Sequence, residues 1–343
     1  MKKRLFALAL VGILTASCLT GCGDSSTNSD SSSSSAASDS ASDSSDDNYN
    51  ISLIVKLTDG HFNKVIAGAK AYADEHSNVT VDVLSPTSAT AYDEQINMIE
   101  TALGTDSCDA IVISPLQSDS AANLVANTDK TIIACDTDFD SDKKSAFVGT
   151  GNEEAAYQGG KAAVESKIAD GIEKPTAIIL TGVQGDETHD ARLNGYKKGV
   201  KEAGGEVLEV QYCDATADKA ATAMEAEIQK YPEGVDIVLS TNDDMVMSAA
   251  KVRTDSGGDA YKDTLFCGFD GNQSALEAIQ DGTIGMDVAQ EGYQMGYKSV
   301  EAAVAVLSGE SVDEFIDSGS TVVDTDNVDD YIQQMKDIGV WED

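Results

Sequence analysis

The six residues Ala110-Ile111-Val112-Ile113-Ser114-Pro115 decide the fold. Four consecutive apolar residues closed by Ser and Pro leave no polar face for water, so the run reads as a strand covered on both sides. The same pattern extends in both directions. Upstream lie a strand from Ile51 to Leu57, a helix from His61 to Glu75, a strand from Val79 to Leu84 and a helix from Tyr92 to Leu103. In the first helix, Phe62, Val65, Ile66, Ala69, Tyr72 and Ala73 recur at helical spacing. Downstream come a helix from Ala121 to Ala126 and a strand from Thr131 to Cys135. A short segment, Ala146-Phe147-Val148-Gly149, then leads into a helix from Glu153 to Ile168. The alternation restarts with strands at Thr176 to Leu180, Glu206 to Val210, Asp236 to Leu239, Leu265 to Gly268 and Thr283 to Val288. Helices at Asp190 to Ala203, Ala217 to Lys230, Met245 to Thr254, Gln273 to Gln280 and Tyr293 to Leu307 separate or follow them, and Thr321 to Val323 is a late strand. The expected architecture is α/β, two similar halves, each a doubly wound parallel sheet.

With 343 residues, 41% of them hydrophobic, the chain can bury about two domain cores. Its net charge of −37 comes from 60 acidic against 23 basic side chains. That balance excludes nucleic acid, because phosphate backbones require clustered cations. It also disfavours anionic ligands unless a cation is placed for them.

The chain begins Met1-Lys2-Lys3-Arg4, continues with an apolar run from Leu5 to about Leu14, and reaches Leu19-Thr20-Gly21-Cys22. The apolar run is too short to span a bilayer. The ending resembles the lipobox of bacterial lipoproteins. The resemblance implies that residues 1–21 are a signal peptide and that Cys22 is diacylated as the mature N-terminus. An ordinary signal peptide with an incidental cysteine is the other reading. Residues 24–48 are almost all Ser, Asp, Ala and Asn, and read as a disordered tether. The expected location is extracytoplasmic, anchored to the membrane by lipid rather than inserted in it. Cys108, Cys135, Cys213 and Cys267 have neither zinc nor disulfide-framework spacing, and are expected to pack as unpaired small hydrophobes.

In doubly wound sheets ligands bind outside the carboxyl ends of the strands, so the strand-to-helix corners carry the chemistry. They contain Thr58-Asp59-Gly60-His61-Phe62, Asp136-Thr137-Asp138-Phe139-Asp140, Gly182-Val183-Gln184-Gly185-Asp186, Thr241-Asn242-Asp243-Asp244, Gly268-Phe269-Asp270-Gly271 and Ala289-Gln290. Arg192 stands out, since the only other arginines are Arg4 and Arg253. At the start of its helix a planar five-donor fork can clamp two hydroxyls, or can serve a surface ion pair.

Asp190-Ala191-Arg192-Leu193-Asn194-Gly195-Tyr196, Ser240-Thr241-Asn242-Asp243-Asp244-Met245 and Gly268-Phe269-Asp270-Gly271 resemble the type 1 periplasmic sugar-binding proteins, the ribose- and galactose-binding relatives that feed ABC transporters. The Phe62 corner, Ser114-Pro115 and Asp136 agree, and the resemblance covers about residues 50 to 320. It implies two lobes joined by a three-crossing hinge: residues 49–151 with 291–317, and residues 152–290 with 318–343. By matching motifs, Phe62 stacks on a sugar ring and Asp136 accepts hydroxyl protons from the first lobe. Arg192, Asn242 and Asp270 bind hydroxyls from the second, and Gln290 reaches in from a hinge strand. The residue types suit a sugar, whose paired hydroxyls donate and accept and whose C–H faces prefer an aromatic plate. Each also has a plainer use: core packing for Phe62, helix capping for Asp136 and Asp270, turn formation for Asn242, and solvation for Gln290. His61, Thr137, Asp138 and Asp186 are further candidate contacts. Asn63, Thr137 and Ala215 depart from the ribose binders, and Tyr212 or Phe139 could supply the missing plate. The Asp-Thr-Asp run at 136–138 looks more like the branch that includes rhamnose and autoinducer-2 binders.

Gly149-Thr150-Gly151 imitates a dinucleotide loop, but Glu154 stands where the third glycine belongs and would repel a pyrophosphate. Asp136, Asp138, Asp140 and Asp142 alternate like a calcium loop, but Ser141 and Phe147 replace its glycine and its glutamate. The sequence has no nucleophile elbow, P-loop or zinc spacing, and a triad would have to use His61 or His189. The expectation is a binding protein with no enzymatic activity, cofactor or metal. It takes a monosaccharide and delivers it to the permease subunits of an ABC importer. The alternatives are a nucleoside or autoinducer-2-like ligand, or a sensor that docks a membrane signalling receptor.

Overall fold

The computed structural model describes residues 48–58, 60–88 and 90–341. The expected signal peptide, Cys22 and the tether as far as residue 47 lie outside the described residues. The first half runs β1 (Tyr49–Ile54), α1 (Gly60–Glu75), β2 (Val79–Leu84), α2 (Tyr92–Gly104), β3 (Ala110–Ile113), α3 (Ser118–Val125), β4 (Thr131–Cys135) and β5 (Lys144–Gly149). The second runs α4 (Asn152–Ala169), β6 (Thr176–Thr181), α5 (Glu187–Glu202), β7 (Glu206–Tyr212), α6 (Ala217–Lys230), β8 (Ile237–Ser240), α7 (Asp243–Ser256), β9 (Leu265–Asp270), α8 (Gln273–Gln280) and β10 (Met286–Gln290). The chain ends with α9 (Gly292–Leu307), β11 (Phe315–Asp317), β12 (Ser320–Asp324) and α10 (Val328–Asp337).

Two six-stranded sheets result, ordered β11-β5-β4-β3-β1-β2 and β12-β10-β9-β8-β6-β7. Every pair is parallel except β10 with β12. Each sheet is the centre of one lobe and is covered on both faces, which is why its central strands, such as β3 and β8, are buried along their whole length. In the first lobe Leu53, Val112 and Ile133 pack with α1 and α9 through Val65, Met295 and Val300. Ile54, Ile111 and Ile132 pack on the other face with Ile99 and Val125 of α2 and α3. In the second lobe Ile179 and Phe269 meet Leu193 and Tyr196 of α5. Ile178 and Leu180 meet Met224, Val246 and Leu276. Each such side chain contributes about 1.5–3 kcal/mol of burial. Helices α1 and α9 touch backbone to backbone. A Cβ at Gly68 would stand 1.8 Å from the Tyr293 carbonyl oxygen, and one at Gly296 would stand 1.8 Å from that of Val65.

The chain passes between the sheets at residues 149–152, 290–292 and 317–320. The buried Thr150 hydroxyl of the first passage donates to Gln290 Oε1 at 2.9 Å and lies 3.5 Å from the Ser318 hydroxyl of the third. All three passages therefore meet at one hydrogen-bonded point.

Some elements depart from the sequence reading. The segment before Gly149 is a full strand, and β11 and α10 were not expected. Strand β10 starts at Met286 rather than Thr283, because Asp281 accepts the Thr283 amide at 2.8 Å and closes a turn there. Helix α5 starts at Glu187 because the Asp186 carboxylate caps the His189 amide at 2.9 Å. Cys108, Cys135, Cys213 and Cys267 are buried and unpaired. Among the described residues no helix is long and apolar enough to cross a membrane.

Candidate functional site

Strand β4 ends at Cys135, and the next residue, Asp136, takes φ 64°. Its amide donates to the Val148 carbonyl at 2.9 Å, and the Thr137 amide donates back to Cys135 at 2.6 Å. This reversal leaves the carboxylate at the strand end, surrounded by donors. His61 Nε2 lies 2.8 Å from Oδ1, Lys56 Nζ lies 3.2 Å from Oδ2, and the Thr137 hydroxyl donates to Oδ2 at 2.8 Å. Ser114 donates to Oδ2 at 3.4 Å. Burial alone would raise the Asp136 carboxyl. Lys56, His61 and Thr137 outweigh it and hold the carboxyl well below the usual carboxylate range.

The second lobe has a matching arrangement. Asp270 ends β9 at φ 135°. Its Oδ1 accepts from Arg192 Nη1 at 3.2 Å and from Gln290 Nε2 at 2.8 Å. Arg192 is 6% exposed. Its Nη1 also donates to the Thr241 carbonyl at 2.8 Å, its Nε donates to Asn152 Oδ1 at 2.8 Å, and its guanidinium lies over the Phe269 ring. His189 Nδ1 lies 2.9 Å from the Thr241 hydroxyl. Burial first, and then Arg192, lower the His189 pKa below its ordinary value. Among the described residues only four that are not glycine have positive φ: Asp136, Asp214, Ala215 and Asp270. Backbone held this way costs of order 1–3 kcal/mol per residue and clusters at functional sites.

A cleft of about 660 Å³ lies between the lobes. Asp136, Thr137, Asp138 and Phe139 line it from the first lobe, and Asn152, Asp186, Glu187 and Thr188 from the second. Asn152 thus connects the wall to Arg192. The structure brings His61, Asp136 and Thr137 together in one lobe, and Arg192, Asp270 and Gln290 in the other. Asp138 pairs with Lys144 and accepts the Phe139 amide at 2.8 Å. Phe62, 4% exposed, packs into the first-lobe core and meets the His61 ring edge-on at 5.1 Å. Asn242 caps α7, with Oδ1 accepting the Met245 amide at 3.0 Å and Nδ2 donating to the Ala215 carbonyl at 3.2 Å. Phe139 is 3% exposed, whereas Tyr212 is 44% exposed. Among the described residues no cluster of three or more His, Cys, Asp or Glu side chains is placed to hold a metal ion.

Sequence reasoning missed Lys56, Asn152 and His189 as parts of this site. Lys56 interrupts the apolar run from Leu53 to Leu57, which is a usable signal, although lysine is a common residue in this chain. Asn152 and His189 act through Arg192 and Thr241, and only the fold reveals that.

A profile described as a periplasmic binding protein domain matches residues 51–311. The chain is similar to the ribose import binding protein RbsB of Bacillus subtilis (strain 168), 29% identical over 212 residues. That alignment covers 61% of this chain and 66% of the relative. It is also similar to the structure of a carbohydrate transporter solute binding protein from Agrobacterium Radiobacter in complex with D-arabinose. The TM-score is 0.68 at 26% identity, covering 84% of this chain and 98% of that one. AraP, an arabinose binding protein from Geobacillus stearothermophilus, superposes with TM-score 0.71 at 20% identity, covering 83% of this chain and 99% of that one. This last likeness bears on the fold alone.

Proposed function

The chain belongs to the periplasmic binding protein family, whose members are transport binding proteins rather than enzymes, and from that premise we propose that it captures a neutral monosaccharide between its lobes and hands it to an ABC importer. The observation that carries this reading is the matching placement of Asp136 and Asp270. Asp136 directly follows β4 of one lobe and Asp270 ends β9 of the other, each is bent to positive φ, and each has a cation at its carboxylate. Paired carboxylate and cation suit hydroxyls that both donate and accept, without attracting an anion. The acidic walls of the cleft support the same preference for a neutral guest.

In this reading Asp136, Arg192, Asp270 and Gln290 grip hydroxyls, and His61, Thr137, Asp138 and Asp186 complete the rim. Phe62 and Asn242 support the site from behind, one through the core and one through the α7 cap. Each lobe holds half of the contacts, so the ligand favours the closed arrangement and shifts the equilibrium toward it. The permease then meets a closed outline. The protein works outside the cytoplasm, held by a lipid on Cys22 after removal of residues 1–21, with residues 22–48 as its tether.

A thermal-shift screen of about fifty monosaccharides, polyols and nucleosides tests the reading, since a bound ligand raises the melting temperature by mass action. A sugar or polyol hit supports it. A response to nucleosides alone overturns it.

A further inference from the structure

Lys64 belongs to α1 in the first lobe, yet its Nζ donates to two carbonyls of the second, Gly271 at 3.0 Å and Asp270 at 3.4 Å. The residue is 4% exposed. Four carboxylates act on the ammonium through space rather than as direct ion pairs: Asp243 at the start of α7, Asp270 at the end of β9, Asp287 within β10 and Glu291 before α9. Asp243 and Asp287 are buried, and both strap the loop that Lys64 touches. Asp243 accepts the amides of Phe269 at 3.0 Å and Asn272 at 2.8 Å, and Asp287 accepts that of Gly271 at 2.9 Å. One oxygen of each converges on the same point. Above Gly268 a Cβ would stand 2.3 Å from Asp287 Oδ2 and 2.5 Å from Asp243 Oδ1. Two buried carboxylates this close cannot both ionise. Asp287 Oδ2 has no other donor, so a proton on Asp243 is what satisfies it.

We propose that Lys64 is a positioning residue that couples lobe closure to the shape of the Phe269–Asn272 loop. As the lobes close it enters the second lobe's carboxylate cluster and drives out one of the protons the cluster holds when the lobes are apart. The bond that breaks is the O–H of the Asp287 carboxyl, and its proton leaves to water while the ammonium takes its place as counter-charge. The loop so fixed carries Asp270, so closure and the presentation of that carboxylate become one event.

The titrations agree in sign. Burial raises the Asp287 carboxyl, which stands at about 6 with Lys64 beside it. Withdrawing the ammonium removes a lowering influence, so the open arrangement binds the proton more tightly. Burial lowers the Lys64 pKa against the pull of its four acids. Both groups therefore lose proton affinity on closing, and rising pH favours closure. Arg192 also meets Asp270, and Asp287 acts electrostatically on Cys267, Tyr196 and Tyr331. His189, whose pKa burial and Arg192 lower, also lies in the second lobe's site and needs a control.

The test needs no ligand. Nitroxide labels on Asp119→Cys and Glu187→Cys, on opposite lips of the cleft, read lobe separation in the full chain by electron–electron double resonance. From pH 5.5 to pH 8 the ratio of closed to open molecules is expected to rise by up to about tenfold per pH unit, the limit for one proton released. Lys64→Met and, separately, Asp287→Asn are each expected to abolish the rise while circular dichroism reports an intact fold. A flat response in the parent protein overturns the proposal, whether or not either variant folds. A response that survives in Lys64→Met also overturns it and assigns the effect to another group, such as His189. Either failure leaves the sugar reading untouched, because that reading stands on the ligand screen.

Discussion

Arg192 and Asp270 meet at 3.2 Å above the ring of Phe269, which lies 3.8 Å from the guanidinium carbon. The arginine is therefore held on one side by a carboxylate and from beneath by an aromatic face. This fixes its fork before any ligand arrives. Arg192→Ala and Asp270→Ala are each expected to lower ligand affinity by about 2–4 kcal/mol, the penalty for leaving a buried polar partner unpaired. Calorimetry with the sugar found by the screen measures it. Unchanged affinity in both variants would remove these residues from the site.

Asp136 sets a pH dependence of stability. Its carboxyl is held below the usual value in the folded protein, so it stabilises the fold above its unfolded pKa of about 3.9. That contribution is lost as pH falls from there toward the folded value. Urea midpoints taken from pH 6 down to pH 2.5 should decline more steeply for the parent protein than for Asp136→Asn. Parallel curves would count against the pairing with Lys56 and His61.

Gly268 has no room for a methyl group. The added carbon would press on Asp243, Asp287 and, at 2.9 Å, Val246. Gly268→Ala is expected to destabilise the second lobe by about 1–3 kcal/mol through overpacking. Chemical denaturation reads the loss, and an unchanged midpoint would show that the two carboxylates can part freely.

The four thiols of the described residues should be inert. Burial pushes Cys135 up to about 12 and Cys213 up to about 11, and raises Cys267 as well. Thiolates, not thiols, react with disulfide reagents. Ellman's reagent at pH 8 should titrate none of Cys108, Cys135, Cys213 and Cys267 in the native protein and all four after denaturation.

Cys22→Ala should release the protein from the membrane fraction and stop incorporation of labelled palmitate in a bacterial host. Retention of both behaviours would point to another anchor.

The sheets were legible in the sequence because runs such as Ala110–Ile113 and Thr176–Leu180 have no polar face, and the structure covers both sides of them. Strand β11 was not legible. It has three residues, Phe315 is 45% exposed, and its pairing partner lies far back in the chain at β5. The site was legible where chemistry was rare, as with Arg192. It was obscure where residues act through others. Asp287 sits inside a buried strand and Lys64 lies beside Val65 on a core-facing helix, so both broke the apolar pattern visibly. Neither could be interpreted without knowing that both hold the same loop, Lys64 through the Gly271 carbonyl and Asp287 through the Gly271 amide.

Thr150 ties the three passages together through Gln290 and Ser318, and Gln290 in turn holds Asp270. Three connections bound at one point bend like a door on a single pin rather than like three loose cords. In the proposed function, a swing of the halves about that pin brings their rims back to the same alignment each time. On that proposal, a membrane transporter tells a loaded molecule from an empty one by outline alone, without ever touching the cargo.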